Sequence, residues 1–438
     1  MTTSPRRRII ALDVLRGIAI LGTLLTNIWI FSESAFDPDA GQAEGALAVF
    51  NRIAETGLLL FTDGKFIGLL TIMFGIGLEI QRQSALRRGE SWPGRYPWRA
   101  GILILDGLLN YIFIFEFDVL MGYGLTALVV AAVMAKSPKV QKIWMFIGLG
   151  AHLVVLASMS LVPSILDRLW PVEMAELPVD ANRLDAAPTF AGTESYWGML
   201  VSRVQDFIGG RGEIPVMFVM GLGLFLVGAH LYRAGLFLPE GRRLRRIVMG
   251  VGFGVGFPVD WALRLSDSGG FITRYGTSTI VAFGLLAAVA AFYVHRERVG
   301  LMGHGLSLVG RMALTNYILQ NLIASIIFYD WGFGVSAKIQ GPWSLVATLA
   351  IYLGIAGFLI TLSAVWLHFF RRGPVELVWH DTVDKLADFS ARRREGRVLV
   401  KDARVPAPAS SRRTDTCDVG TVLTHDGVDV LAVDTRTQ

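Results

Sequence analysis

The sequence has a single cysteine, Cys417, close to its C-terminus. One thiol cannot form an internal disulfide and cannot supply a cysteine-based metal site. No other residue pattern has metal-ligand spacing, and no Gly-x-Ser-x-Gly turn precedes a helical pattern. The sequence therefore has none of the usual marks of a disulfide-linked secreted domain, a metalloenzyme or a serine hydrolase, and we expect no bound metal.

Charge is also scarce, since charged residues make up 18% of the 438 residues and hydrophobic residues 53%. A soluble domain of this size cannot bury so much apolar surface, so the composition predicts a polytopic membrane protein surrounded by membrane lipids. The formal net charge is +5. This charge does not indicate a nucleic-acid partner, because the basic residues fall in short clusters between apolar segments.

Ten apolar segments are candidates for membrane-spanning helices. We predict an all-α bundle of about ten transmembrane helices, at roughly 9–31, 58–80, 100–117, 119–135, 143–163, 213–233, 247–265, 276–294, 312–329 and 343–369. The first segment has no small-residue cleavage site, so we expect it to be retained and not removed as a signal peptide.

Basic clusters between the segments predict the orientation of the bundle. Arg and Lys concentrate in every second connection, at 82–95, 136–142, 242–246, 296–298 and 371–372. Loops rich in Arg and Lys remain in the cytoplasm. This pattern favours an even number of spans with both termini in the cytoplasm.

Two stretches differ from the predicted bundle of residues 1–385. The extracytoplasmic segment 164–212 exceeds the usual length of a connection, which is typical of either a binding loop or lid, or a flexible linker. The tail, 386–438, has the composition of a largely disordered cytoplasmic segment. Within the tail, Asp426-Gly427 is a turn signal for a small hairpin.

Polar side chains within the first apolar segment mark a candidate site, because an ionisable group in a spanning helix is costly unless it faces the protein interior. In LDVLRGIAILGTLLTN (12–27), helical geometry places Asp13, Arg16, Thr23 and Asn27 in one stripe less than about 90° wide. The stripe indicates an interior-facing polar surface. The alternative is that Asp13 and Arg16 simply pair at i, i+3 near the membrane interface.

Further polar residues interrupt other apolar segments. Asn110 precedes the turn that contains Asp118, and this carboxylate is either solvated in a loop or a base at the mouth of a cavity. Asn316 and Gln320 share a helical face and suit either hydrogen bonds between helices or contacts with a ligand. His152 lies in the middle of an apolar segment, where a lone histidine is more often hydrogen-bonded structure than a catalyst.

Four further ionisable residues interrupt apolar segments, and the last two of them lie close to the predicted outer boundary. Asp63 and Lys65 interrupt the second segment, and Asp260 and Arg264 lie at i, i+4 in the seventh. The spacing of the latter two favours a structural ion pair.

Five blocks carry a resemblance to a known family: LDVLRGIAILGTLLTN (12–27), KFIGLLTIMFGIGL (65–78), FDVLMGYG (117–124), GRMALTNYILQ (310–320) and RRGPVELVW (371–379). In this order they resemble the YeiB-like family of bacterial membrane proteins, domain of unknown function 418, over residues 9 to about 385. That family is grouped with the acyltransferase-3 superfamily, which includes cell-envelope O-acetylases. The resemblance implies a protein of the bacterial plasma membrane that moves an acyl group from a cytoplasmic donor, often acyl-CoA, to an envelope glycan or lipid.

The resemblance also implies roles for individual residues. Arg16 is placed to contact the phosphates of the donor, a role suited to its planar donor fork, and Lys65 and Arg311 are further candidates for binding the donor. The candidate substrate-binding residues are Asn27, Asn110, Asn316 and Gln320.

The sequence departs from the related enzymes at three positions. Acyltransferase-3 enzymes usually have a histidine where this chain has Asn27, although asparagine is usual for the YeiB-like branch. The branch itself usually has a histidine at the position of Asn110 and an arginine at that of His380. An amide cannot accept a proton at neutral pH, so a general base must be Asp118, Asp13 or, as a more remote third candidate, His152.

Three functions remain open at this point. The leading hypothesis is a membrane-embedded acyltransferase. The first alternative is a transporter or flippase for an envelope precursor, in which the same polar residues line a route through the membrane. The second is a non-catalytic scaffold of envelope biogenesis that contacts an envelope enzyme, or a second copy of itself, through the 164–212 segment or the tail.

Overall fold

The computed structural model describes residues 9–32, 46–169, 195–266, 270–296, 299–339 and 343–402. Every regular element in these ranges is helical, which confirms the predicted all-α class. The hairpin expected at Asp426-Gly427 and the middle of the predicted 164–212 loop lie outside the described residues. The chain divides into two units, residues 1–387 and 388–438.

The described ranges contain seventeen α-helices. In chain order they are α1 (Ile10–Phe31), α2 (Ala46–Thr62), α3 (Lys65–Arg87), α4 (Tyr96–Phe113), α5 (Leu120–Met134), α6 (Pro138–Leu169), α7 (Tyr196–Gln205), α8 (Glu213–Arg233), α9 (Arg242–Val251), α10 (Phe257–Leu265), α11 (Gly270–Ile272), α12 (Ser278–Tyr293), α13 (Leu301–Arg311), α14 (Ala313–Phe328), α15 (Val335–Lys338), α16 (Ser344–Phe369) and α17 (Pro374–Asp402).

Seven helical segments of the described chain are long and apolar enough to cross a membrane. They are Ile10–Phe31, Val49–Arg87, Pro138–Val162, Gly209–Arg233, Pro239–Leu265, Gly270–Tyr293 and Ser344–Phe369. The other three predicted spans correspond to α4, α5 and α14. Of these, α5 and α14 are apolar but shorter than the seven, and α4 contains Arg99 and Asp106.

The centre of the bundle is α1, which is buried along nearly its whole length. It packs closely against α13 because glycines replace side chains at the contact. A Cβ atom added at Gly17 would overlap the carbonyl oxygen of Leu306, and one added at Gly310 would overlap that of Asp13. Such close approach between backbones is typical of helix packing in membranes. The two glycines therefore fix the position of the polar residues of α1.

The bundle has two chemically different ends. The end that contains the N-terminus of α1, the C-terminus of α3 and the N-terminus of α4 carries the Arg and Lys clusters, and we call it the basic end. The other end also contains arginines. These arginines are paired: Arg264 and Arg274 contact Asp63, and Arg203 and Arg211 donate to backbone carbonyls.

Three regions have more helix than the sequence predicts. The predicted 164–212 loop begins within α6, which continues to Leu169, and its last part forms α7. The segment after residue 370 forms α17, which continues to Asp402 through the first residues of the predicted disordered tail. The second predicted span, 58–80, is divided: its first residues belong to a separate helix, α2, which ends at a turn where Gly64 has a φ of 74°.

Candidate functional site

A cavity of about 360 Å³ lies near the basic end of the bundle. Seven helices line it, namely α1, α3, α4, α5, α13, α14 and α17. The cavity brings together residues far apart in the sequence. Two of the predicted donor-binding residues, Arg16 and Arg311, line it together with Arg99, which sequence reasoning did not single out.

The rim of the cavity is cationic. Arg16 lies 3.5 Å from the Asp13 carboxylate, and its side chain is 37% exposed, whereas that of Asp13 is 6% exposed. The i, i+3 pair suggested by the spacing is therefore present. Because Arg16 also lines the cavity, its guanidinium is accessible to a solute that enters there.

Arg99 forms the opposite part of the rim. Its guanidinium donates to the Gln81 side-chain oxygen and lies 5.9 Å from the Trp379 ring. An arginine over an aromatic ring is stabilised by the electron-rich face of the ring. These contacts attach α4 to α3 and α17 and hold a positive charge at the cavity.

The wall beyond the rim is apolar. It is formed by Ile20 of α1, Leu70, Met73 and Phe74 of α3, Leu103 of α4 and Leu120 of α5. Such a wall favours a hydrocarbon or otherwise uncharged portion of a ligand, while the rim favours an anionic portion. The cavity thus has the two-part character of a site for a molecule with an anionic head and an apolar arm.

Tyr317 connects the cavity to Asp118. The tyrosine lines the cavity, and its hydroxyl donates to Asp118 Oδ1 over 3.2 Å. The same oxygen accepts from Asn110 Nδ2 at 2.8 Å. The other oxygen, Oδ2, accepts from the backbone amides of Leu120 and Met121 at 2.9 and 3.3 Å.

The position of Asp118 decides between its two sequence interpretations. Asp118 is only 6% exposed, so it is not a solvated loop carboxylate. It accepts at the N-terminus of α5, where unpaired amides and the helix dipole stabilise a negative charge. Its contact with the cavity runs through the Tyr317 hydroxyl. Asn110 lies beside it as a donor and not as an independent ligand of the cavity.

Glu376 of α17 closes the cavity from the side of the C-terminal helix. It accepts from the backbone amides of Leu314 and Thr315 at 2.9 and 3.2 Å and from the Thr315 hydroxyl. These amides begin α14, so Glu376 caps the helix that carries Tyr317. Glu376 and Trp379 both line the cavity, which makes α17 part of its wall.

The amides of α14 hold helices together. Asn316 donates to the carbonyl of Val309 at 3.1 Å and to the hydroxyl of Ser363 at 2.9 Å. Gln320 donates to Thr23 Oγ1 at 3.3 Å, and this bond joins α14 to the polar stripe of α1. Neither amide lines the cavity. Asn27, the last residue of the stripe, is half-buried further along α1 and also lies outside the cavity lining.

Lys65 lies in a separate charge network at the other end of the bundle. This network comprises Asp63, Lys65, Asp260, Arg264 and Arg274. Lys65 Nζ is 2.5 Å from Asp260 Oδ2, and Arg264 contacts both Asp260 and Asp63, at 3.1 and 2.6 Å. The geometry does not bring Lys65 to the cavity, so its predicted role in binding the donor finds no support there.

His152 is also remote from the cavity lining. Its Nε2 atom lies 3.1 Å from the carbonyl oxygen of Tyr275, and the side chain is 7% exposed. This contact corresponds to the hydrogen-bonded structural role suggested by its position in an apolar segment. His380, outside the membrane-spanning segments on α17, lies 3.8 Å from Asp384. Burial and then the nearby Arg372 lower the pKa of His380.

Sequence reasoning missed three residues of the cavity: Arg99, Tyr317 and Glu376. Tyr317 is adjacent to Asn316 in the block GRMALTNYILQ, but a tyrosine in an apolar segment gives no signal by itself. Glu376 falls after the last predicted span, where no helix was expected. Only the packing of α17 against α14 reveals its role.

Comparison with known proteins agrees with these blocks. The family described as protein of unknown function (DUF418) matches residues 231–385. YeiB of Escherichia coli strain K12, described as an uncharacterized protein, is 29% identical over 402 residues, covering 85% of this chain and 95% of YeiB. The chain is thus similar to the DUF418 family over residues 231–385 and to YeiB over most of its length.

Two further relatives are similar to the chain over most of its length. The uncharacterized protein YxaH of Bacillus subtilis strain 168 is 27% identical over 402 residues, covering 86% of this chain and 94% of YxaH. An uncharacterized 39.9 kDa protein in the amylase 3'region of Bacillus acidopullulyticus is 25% identical over 372 residues, covering 85% and 92%. No solved structure matches the chain.

Proposed function

We propose that this YeiB-like protein is an acyltransferase of the bacterial plasma membrane that uses a cytoplasmic acyl-CoA and an envelope glycan or lipid acceptor. In this proposal the bundle has about ten spans, both termini are cytoplasmic and the basic end faces the cytoplasm. The observation that carries the proposal is one cavity with three arginines at its rim, an apolar wall and a tyrosine bonded to a buried carboxylate.

The cavity matches the chemistry of an acyl-CoA in two parts. Arg16, Arg99 and Arg311 supply planar donors suited to phosphate oxygens. The apolar wall suits the thioester arm and the acyl chain. A volume of about 360 Å³ accommodates that arm, while the nucleotide remains at the exposed rim.

Tyr317 and Asp118 are the groups placed to move a proton. In acyl transfer, the acceptor oxygen forms a bond to the thioester carbon, the carbon–sulfur bond breaks, and the acceptor hydroxyl loses a proton. The Tyr317 hydroxyl takes that proton while its own proton passes to Asp118 Oδ1. The departing CoA thiolate then receives a proton from Tyr317, which regains one from Asp118, so that both groups return to their starting states. Asp13, which pairs with Arg16, and His152, at the Tyr275 carbonyl, are engaged elsewhere.

The test is release of the CoA thiol by the purified full-length protein in vesicles, with acetyl-CoA and a bacterial envelope extract as acceptor. We expect Tyr317→Phe to lower the rate by about 100-fold or more, since positioned proton transfer contributes that much. We expect Arg16→Ala to raise KM for acetyl-CoA about 10-fold or more, because it removes a charge-assisted contact.

Two control variants test whether removing a tyrosine hydroxyl or an arginine charge elsewhere in the protein also changes the kinetics. Tyr352→Phe changes a half-buried tyrosine of α16, and Arg243→Ala removes an exposed arginine of α9; neither residue lines the cavity. Both should retain wild-type kinetics. Failure of the wild-type protein to release thiol with any envelope extract would refute the acyltransferase proposal.

One observation favours the transporter alternative. Buried amide atoms of α14 have no hydrogen-bond partner among the described residues: the side-chain oxygens of Asn316 and Gln320, and both polar atoms of Asn321. Unpartnered polar atoms at membrane depth are expected where water or a polar solute passes. Vesicles that take up an envelope precursor without any acyl donor would support transport over acyl transfer.

A further inference from the structure

A second cavity of about 360 Å³ lies between α6 and α8 at the basic end. Its place follows from the packing of these two helices. A Cβ atom added at Gly148 of α6 would lie 2.5 Å from the backbone nitrogen of Gly223, so the helices approach closely there. About one to three turns toward the basic end, the residues between the helices are larger and enclose open space.

The lining of this second cavity is basic. It includes Lys142 of α6 and His230 and Arg233 of α8, and none of its lining residues is an aspartate or glutamate. Arg233 Nη1 donates to Gln141 Oε1 at 2.8 Å. Gln141 in turn donates to the carbonyl oxygens of Met134 and Lys136 at 3.2 and 2.9 Å. The Arg233 guanidinium is thus held at the cavity by a neutral partner, and its charge is uncompensated there.

The same cavity borders an apolar, outward-facing surface. Met145 and Leu226 form its apolar lining. The outer face of α6 next to it is strongly exposed, with Ile143 at 57%, Phe146 at 65% and Ile147 at 52%. In a spanning helix, such residues face the hydrocarbon chains of the bilayer. The cationic residues therefore lie at the level where the hydrocarbon region meets the headgroups.

We propose that this cavity binds an anionic phospholipid, with the lipid phosphate between Lys142 and Arg233 and an acyl chain along the exposed face of α6. Charge complementarity selects an acidic lipid over a zwitterionic one, because the cavity offers cations without a carboxylate to neutralise a choline or ethanolamine group. Basic pockets between helices at the cytoplasmic membrane surface are suited to such headgroups. This site is independent of the acyltransferase proposal.

The experiment is a lipid titration of the full-length protein, followed by native mass spectrometry. The probes are phosphatidylglycerol, phosphatidylcholine and inorganic phosphate. The test variant is Lys142→Gln with Arg233→Gln. The control is Lys136→Gln with Lys139→Gln, which removes the same charge from exposed residues of the same region that do not line the cavity.

We expect the test variant to bind phosphatidylglycerol about 25-fold more weakly, since each basic residue near an anionic lipid contributes about fivefold. The control should bind as the wild type does. Equal weakening in both variants, or equal affinity for the two lipids, would overturn the proposal. Displacement of phosphatidylglycerol by millimolar inorganic phosphate would assign the site to a free anion and overturn the lipid assignment. If the test variant fails to fold, Lys142→Gln alone, with an expected fivefold weakening, replaces it.

Discussion

At the scale of single residues, buried charges are stabilised in two different ways: by hydrogen-bond donors or by an opposite charge. Asp118 is surrounded by four donors from two side chains and two backbone amides. It is therefore stabilised as an anion and still bonded to a tyrosine that faces a cavity. Lys65 and Asp260 instead contact each other within a network that has no part in the cavity. The first arrangement suits chemistry and the second suits stability.

We expect Lys65→Met to lower the free energy of unfolding by about 3–5 kcal/mol, because it leaves the fully buried Asp260 with one cationic partner fewer. The double variant Lys65→Met, Asp260→Leu should lose less than the single variant, since neither charge is then left unpaired. Thermal unfolding in detergent measures both, with the exposed Lys139→Met as control. A double variant less stable than the single one would show that the network is more than a structural pair.

Some of these residue roles follow from the sequence and some do not. The i, i+3 spacing of Asp13 and Arg16 is local, so helical geometry alone predicts their contact. The partner of Asp118 is Tyr317, 199 positions away, and no local pattern specifies such a contact. The contact of Lys65 is also non-local, because its partner Asp260 lies 195 positions away in α10. The sequence alone does not reveal that pairing.

At the scale of helices, the contact between α1 and α13 sets the geometry of the cavity. Arg16 and Arg311 come from these two helices, and Gly17 and Gly310 allow them to touch. The apolar periodicity of α1 predicted its position and length closely, because a long buried helix is the strongest signal in a membrane sequence. The sequence did not predict α17, because this helix is largely polar and has no long apolar run.

We expect Gly310→Ala to destabilise the protein and to weaken binding at the Arg16 rim, because the added methyl group meets the backbone of α1 and cannot be relieved by a side-chain rotation. Gly354→Ala of α16 is the matched control, since a Cβ atom there meets nothing within 4 Å. That control should leave stability unchanged or raise it by up to about 1 kcal/mol, through its better helix propensity. Unfolding midpoints in detergent compare the two. Equal stability of both variants would contradict the close contact.

At the scale of the whole molecule, the two ends of the bundle differ in how their cations are used. At the basic end, Arg88 and Arg243 are exposed, whereas Arg245 is buried and donates to backbone carbonyls. At the other end, Arg203, Arg211, Arg264 and Arg274 contact carboxylates or backbone carbonyls. The positive-inside rule counts both kinds alike. The expected orientation therefore follows from the exposed arginines of clusters such as 242–246, while Arg203, Arg211 and Arg245 stabilise the fold.

Labelling with a membrane-impermeant thiol reagent tests this orientation. In a Cys417→Ser background, we expect a cysteine introduced at Ile208, which is 89% exposed, to react in intact cells. A cysteine introduced at Arg243 should react only after the membrane is opened, because it lies at the basic end. Reaction of both, or the reverse order, would contradict the cytoplasmic assignment of that end.

Because α1 contacts the last third of the chain, its contacts are completed only late in biosynthesis. The Gln320 side chain reaches Thr23 across 297 positions, and at about 5–20 residues per second a ribosome needs roughly 15–60 s to make that stretch. During this interval α1 resides in the membrane without the helix that completes its surroundings. The bond between Asp13 and Arg16, three residues apart, is local and available from the start. The charges of Asp13 and Arg16 therefore compensate each other within α1 before α14 is synthesised.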